Sequence, residues 1–101
     1  GSATMKRVKR VEIVVDALAV PRVVEAIEGA GVSGWTVVRE VTGRGERGLR
    51  AGDDLAGVSG NGYVLTACDP AEVGRLVESI RSILRTFGGV CLVSDAEWLI
   101  H

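Results

Sequence analysis

The 101-residue chain predicts an α+β domain, a four-stranded antiparallel sheet with two helices on one face. Three observations predict it. Apolar residues fall in four short strand-like runs and two longer stretches at helical spacing, in the order strand, helix, strand, strand, helix, strand. Glycine and proline sit at the joints. One joint, 43–62, is about twenty residues long, holds seven glycines and has no regular apolar period.

The elements follow in order. Val8 to Asp16 contains Val11, Ile13, Val14 and Val15, a β-branched run that reads as a strand buried on at least one face. Pro21 suits the first turn of a helix. Val20, Val23, Val24 and Ile27 recur at helical spacing, and Gly29 and Gly31 mark the end. Trp35 to Thr42 is a second strand, with Trp35, Val37 and Val41 predicted on one face and Thr36, Val38 and Glu40 on the other. Tyr63 to Ala67 is a third. Asp69 offers an N-cap, Pro70 a first helical position and Glu72 the reciprocal acid of a capping box. Val73, Leu76, Val77, Ile80, Ile83 and Leu84 then form one apolar stripe, ending near Phe87-Gly88-Gly89. Val90 to Val93 is a fourth strand, and Trp98-Leu99-Ile100 a short apolar tail.

With right-handed crossovers this order gives the ferredoxin-like βαββαβ fold. Gly1-Ser2 reads as a tag-cleavage scar, so 1–5 holds the remnant and the expected start at Met5, and 6–101 is one domain. Two helices cover one sheet face only. The other face carries Val and Leu that also need cover, which is a reason to expect association of identical chains.

Composition narrows the function. Hydrophobic residues make up 47% of the chain, enough for an aliphatic core. A formal charge of −1 gives no reason to expect nucleic acid as a partner. No apolar run reaches the length of a membrane span, and no secretory signal is visible, which favours the cytoplasm. Cys68 and Cys91 form no disulfide framework and read as buried structural thiols. The single histidine is His101, so no Ser-His-Asp or Cys-His set and no metal-ligand spacing is present. Asp53-Asp54 in the loop reads as a solvated pair, because adjacent side chains diverge. On this inventory the chain is not an enzyme.

The loop carries the chemistry. In Gly43-Arg44-Gly45-Glu46-Arg47-Gly48-Leu49-Arg50 the glycines permit positive φ, so successive N–H groups can turn toward one anion. Arg44, Arg47 and Arg50 add charge-assisted donors. Such a loop suits a di- or triphosphate or bicarbonate, but taken alone it reads first as a flexible loop with solvated arginines, since Gly-rich loops are common. Gly88 reads as a helix C-cap. Gly89 is surplus to a cap and opens the backbone to a phosphate or a base. Thr36 reads either as an ordinary strand threonine or as a partner for an adenine edge.

Together these pieces resemble the PII superfamily, and within it the carboxysome-associated PII and bicarbonate-transport regulator branch. The carrying motifs are Gly34-Trp35-Thr36-Val37-Val38, the G-x-G-x-R-x-x-R run from Gly43 to Arg50, Val64-Leu65-Thr66, Phe87-Gly88-Gly89-Val90, and Asp95-Ala96-Glu97-Trp98-Leu99. The resemblance spans Val8 to Ile100. It implies a cytoplasmic homotrimer with nucleotide sites in the clefts between subunits, and a T-loop at 43–62. By position, Thr36, Gly43, Gly45, Arg47, Arg50, Gly88, Gly89 and Val90 are the implied nucleotide contacts. Gly43, Arg44, Gly45, Glu46 and Arg47 are the implied bicarbonate contacts. The implied ligands are ADP and AMP, with ATP and cyclic AMP as further candidates, and bicarbonate. The implied protein partner is a transporter or a carboxysome-related protein.

Departures from the family pattern matter. Tyr63, the only tyrosine, falls in a strand, away from the T-loop tip where nitrogen-regulatory PII proteins carry their modified Tyr. Phe87 stands where no Lys is present to hold ATP, and Arg47 replaces the glutamine associated with Mg-ATP-2-oxoglutarate. The rival expectations are a nitrogen-regulatory PII that binds ATP and 2-oxoglutarate, and a metal-binding trimer of the same topology.

Overall fold

A computed structural model of the chain describes residues 4–32, 34–41 and 60–101. The order is β1 (Met5–Asp16), a 3-10 turn (Ala17–Ala19), α1 (Val20–Gly29), β2 (Trp35–Val41), β3 (Asn61–Cys68), α2 (Val73–Phe87) and β4 (Val90–Leu99). The strands form one antiparallel sheet in the order β2-β3-β1-β4. This is the ferredoxin-like arrangement the sequence predicts.

The period of two along β1 divides the molecule. Val11, Ile13 and Val15 are fully buried beneath the helices, and Val64 joins them from β3. Val23 and Ile27 of α1 and Leu76 and Ile80 of α2 close the core from above. Each such side chain contributes about 1.5–3 kcal/mol through removal from water. Cys68 is buried and Cys91 half-buried, both as free thiols packed with this core. Burial pushes both thiols up from their usual pKa, with the charges of Glu72 and Asp69 adding to the effect at Cys68.

Three local expectations need correction. β4 runs ten residues rather than four and absorbs the expected apolar tail. Ser94-Asp95-Ala96-Glu97 looks too polar for a strand, but β1 begins at Met5 and pairs with it from Lys9↔Asp95 to Met5↔Leu99. A Lys9–Asp95 ion pair at 2.5 Å bridges the two strands and holds the Asp95 carboxyl below its usual pKa. Asp69 does not cap α2. Residues Asp69–Glu72 form a turn closed by Glu72 N–H donating to the Asp69 carbonyl at 2.9 Å, and the Asp69 carboxylate pairs instead with Lys6 at 3.0 Å. In β2 the register slips between Arg39 and Val41, which pair with Gly62 and Asn61. Glu40 is the extra residue of this bulge, so strict alternation of faces does not carry through to Val41.

Candidate functional site

Of the expected site residues, Thr36, Gly88, Gly89 and Val90 lie within the described structure. Gly43, Arg44, Gly45, Glu46, Arg47 and Arg50 lie outside the described residues, as do Asp53 and Asp54.

Thr36 sits near the start of β2, and its position is set from below. The buried Thr66 hydroxyl donates to the Gly34 carbonyl at 2.5 Å, tying the strand's approach to β3. Thr36 pairs with Leu65 and is exposed. It borders a hollow of about 810 Å³ whose walls include Val32, Gly34, Leu65, Thr66, Arg10 and Trp98. An exposed hydroxyl at an apolar rim can hydrogen-bond a planar heterocycle while the rim takes its face.

Gly88, Gly89 and Val90 form the joint between α2 and β4. Gly88 N–H donates to the Leu84 carbonyl at 2.8 Å and its φ is 77°, so it closes the helix as expected. Gly89 is not surplus. Its φ is 133°, and a Cβ there would lie 2.6 Å from the Val14 carbonyl oxygen, 2.8 Å from Leu84 and 2.9 Å from Val15. The second glycine is required for the joint to press against β1, whatever else it does.

The two groups lie on opposite edges of the sheet. Thr36 is on β2 and Val90 on β4, with β3 and β1 between them. Three strand spacings separate those edges, roughly 14 Å. None of Gly88, Gly89 and Val90 lines the hollow at Thr36. A single chain therefore does not bring them around one small ligand.

The sequence reading missed a cluster on the sheet face away from the helices. The Tyr63 hydroxyl donates to Glu12 Oε2 at 2.6 Å, and Arg10 Nε stands 3.4 Å from Glu12 Oε1. The hydrogen bond to Glu12, then burial and the carboxylate charge, hold the Tyr63 hydroxyl above its usual pKa. The available signal was two charges at alternate positions inside a β-branched run. Among the described residues, no group of three or more His, Cys, Asp or Glu is placed to hold a metal ion, and no helix is long and apolar enough to cross a membrane.

The family model described as nitrogen regulatory protein P-II matches residues 8–99. The chain belongs to the PII family. PII proteins are signalling proteins rather than enzymes, form trimers and bind nucleotides. Solved structures agree on the fold. CPII, a nitrogen regulatory PII-like protein from Thiomonas intermedia K12 bound to ADP, AMP and bicarbonate, has a TM-score of 0.80 at 21% identity, over 96% of this chain and 92% of that one. The same protein bound to ADP and bicarbonate gives 0.80 at 24% identity, covering 96% and 93%. A PII-like signalling protein from Thermus thermophilus gives 0.72 at 19% identity, covering 94% and 92%. No curated protein matches the chain.

Proposed function

We propose that this PII protein is a cytoplasmic sensor of adenine nucleotides, ADP and AMP, and of bicarbonate, reporting inorganic-carbon and energy state. The observation that carries the reading is the placement of Thr36 and Gly88–Val90 on opposite sheet edges. A trimer brings the β2 edge of one copy near the α2–β4 joint of the next, so each ligand is held between two chains. Thr36 takes the adenine edge, and Gly88, Gly89 and Val90 close the cleft from the other copy. Gly43, Gly45, Arg47 and Arg50 hold the phosphates, and Gly43 to Arg47 hold bicarbonate beside them. The ligands of the Thiomonas relative support this choice of chemistry.

The output is the segment 43–60; the expected loop end at Gly62 gives way to β3, which takes Asn61 and Gly62 into its pairing with β1. Fixing a loop costs roughly 1–2 kcal/mol of backbone entropy per residue, which phosphate contacts to Arg47 and Arg50 offset. A transporter or a carboxysome-related protein then reads the ordered form. A ligand shifts this equilibrium only by its difference in affinity for the two loop states. Calorimetric titration of ADP, AMP and ATP, each with and without bicarbonate, tests the reading. ADP or AMP binding that bicarbonate strengthens is the expected result. Silence from every nucleotide overturns it.

A further inference from the structure

The sheet face opposite the helices is mostly apolar and partly bare. Val14, Val90, Leu65, Leu92 and Val8 point to it by register, and Leu92 is 59% exposed. In its middle stands a polar island of Arg10, Glu12 and Tyr63. Both carboxylate oxygens of Glu12 are engaged, Oε2 by the Tyr63 hydroxyl and Oε1 by Arg10 Nε. The Glu12 side chain is only 24% exposed, while that of Arg10 is 52% exposed. Across the β1–β4 pairing from Arg10, the enclosed Ser94 hydroxyl has no hydrogen-bond partner among the described residues.

We infer that this island is a polar key that fixes the register between copies of the chain meeting on this face. The inference rests on the trimeric reading above, and its occupant is a second copy. Three observations support that occupant. The family forms trimers. The island holds both signs of charge, so one copy of the face is complementary to another. The surrounding apolar side chains are of the kind that a second sheet covers.

The chemistry follows from desolvation. A carboxylate covered without partners costs several kcal/mol, and removing one partner of a buried pair strands the other. Here Glu12 already holds one hydrogen-bond donor and one cation before any partner arrives, so covering it leaves no bare anion. Arg10, half exposed, offers its guanidinium to an acceptor on the second copy. A packing slipped by one strand or two residues sets the island against Leu92 or Val90 and leaves that guanidinium unmet. Polar groups inside apolar interfaces select one arrangement in this way, at some cost in affinity.

Native mass spectrometry and light scattering over a dilution series test the inference. The wild-type chain is expected as one oligomeric species. Glu12→Leu strands Arg10 and Tyr63, and association should weaken tenfold or more. The triple variant Arg10→Met, Glu12→Leu, Tyr63→Phe removes every partner together. It should regain the affinity but distribute over at least two oligomeric species. Glu12→Gln keeps the shape and should weaken association only a few-fold, and far-ultraviolet circular dichroism confirms that each variant is folded. Uniform wild-type-like trimers from both the triple variant and Glu12→Leu overturn the key and leave the nucleotide reading intact. A monomeric wild-type chain overturns both.

Discussion

The two faces of one sheet, built from the same strands, have opposite fates. Beneath the helices, Val11, Ile13, Val15 and Val64 have no exposure at all. On the other side Leu92, Val90 and Trp98 are 59%, 37% and 54% exposed, around the Arg10–Glu12–Tyr63 island. Alternation along a strand tells which residues share a face, but not what covers it. Over β1 and β3 the covered face is sealed by the chain's own helices, so the energetics there belong to folding, while Val93 on the same face of the β4 edge stays 43% exposed. Under the proposed packing the open face is finished by association, so its residues answer to a partner as well.

Substitutions on the two faces should therefore separate. Ile13→Ala, in the covered core, should cost about 3–4 kcal/mol in chemical denaturation, from lost transfer and the cavity left behind. Gly89→Ala should cost about 2–3 kcal/mol, since it combines a disfavoured φ with contacts under 3 Å to β1. An unchanged melting curve for Gly89→Ala would refute the close packing of that joint. Tyr63→Phe should cost about 1 kcal/mol by leaving one Glu12 oxygen without its donor. Leu92→Ser, on the open face, should change single-chain stability by less than about 0.5 kcal/mol, while shifting the oligomer toward smaller species on dilution. If Leu92→Ser destabilises folding as much as Ile13→Ala does, the contrast between the faces is wrong.

A pH titration sharpens the same contrast. The folded state holds the Tyr63 proton more tightly than the unfolded chain does, because its pKa lies above 10.0 in the fold. The stability this contributes is fully present below pH 10 and is lost as pH rises through the raised folded value. Tyr63 is the chain's single tyrosine, so tyrosinate absorbance reports it alone. Tyr63→Phe should flatten the alkaline fall in melting temperature. Midpoints at the unperturbed value in the folded protein would break the Tyr63–Glu12 link.

Much of the fold was legible because the signals were local. The period of the α2 stripe, Pro21 and the glycines after each helix placed the elements in the right order. What was missed depended on partners distant in sequence. The polar half of β4 is a strand because Met5–Lys9 pairs with it, and Lys9 meets Asp95 across the ladder. Asp69 sits in a turn ahead of the helix, and its carboxylate pairs with Lys6 of β1. Gly89 looked spare because its need comes from β1, some seventy-five residues earlier. For the site, Thr36 is exposed on an edge strand, which by itself serves an ordinary strand threonine as well as a contact. The arginines of 44–50 lie outside the described residues, and the island at Glu12 was hidden among valines that announced only a strand.

The proposed division of the site between opposite edges has a consequence in mixed populations. Under the proposed arrangement each chain lends its β2 edge to one neighbour and its α2–β4 joint to the other, so no chain owns a pocket. A chain altered at Thr36 and another altered at Val90 are each defective alone. Mixed before assembly, they should complement, because some clefts then draw an intact edge from each. A chain altered at both would do the reverse and poison two pockets in every ring it enters.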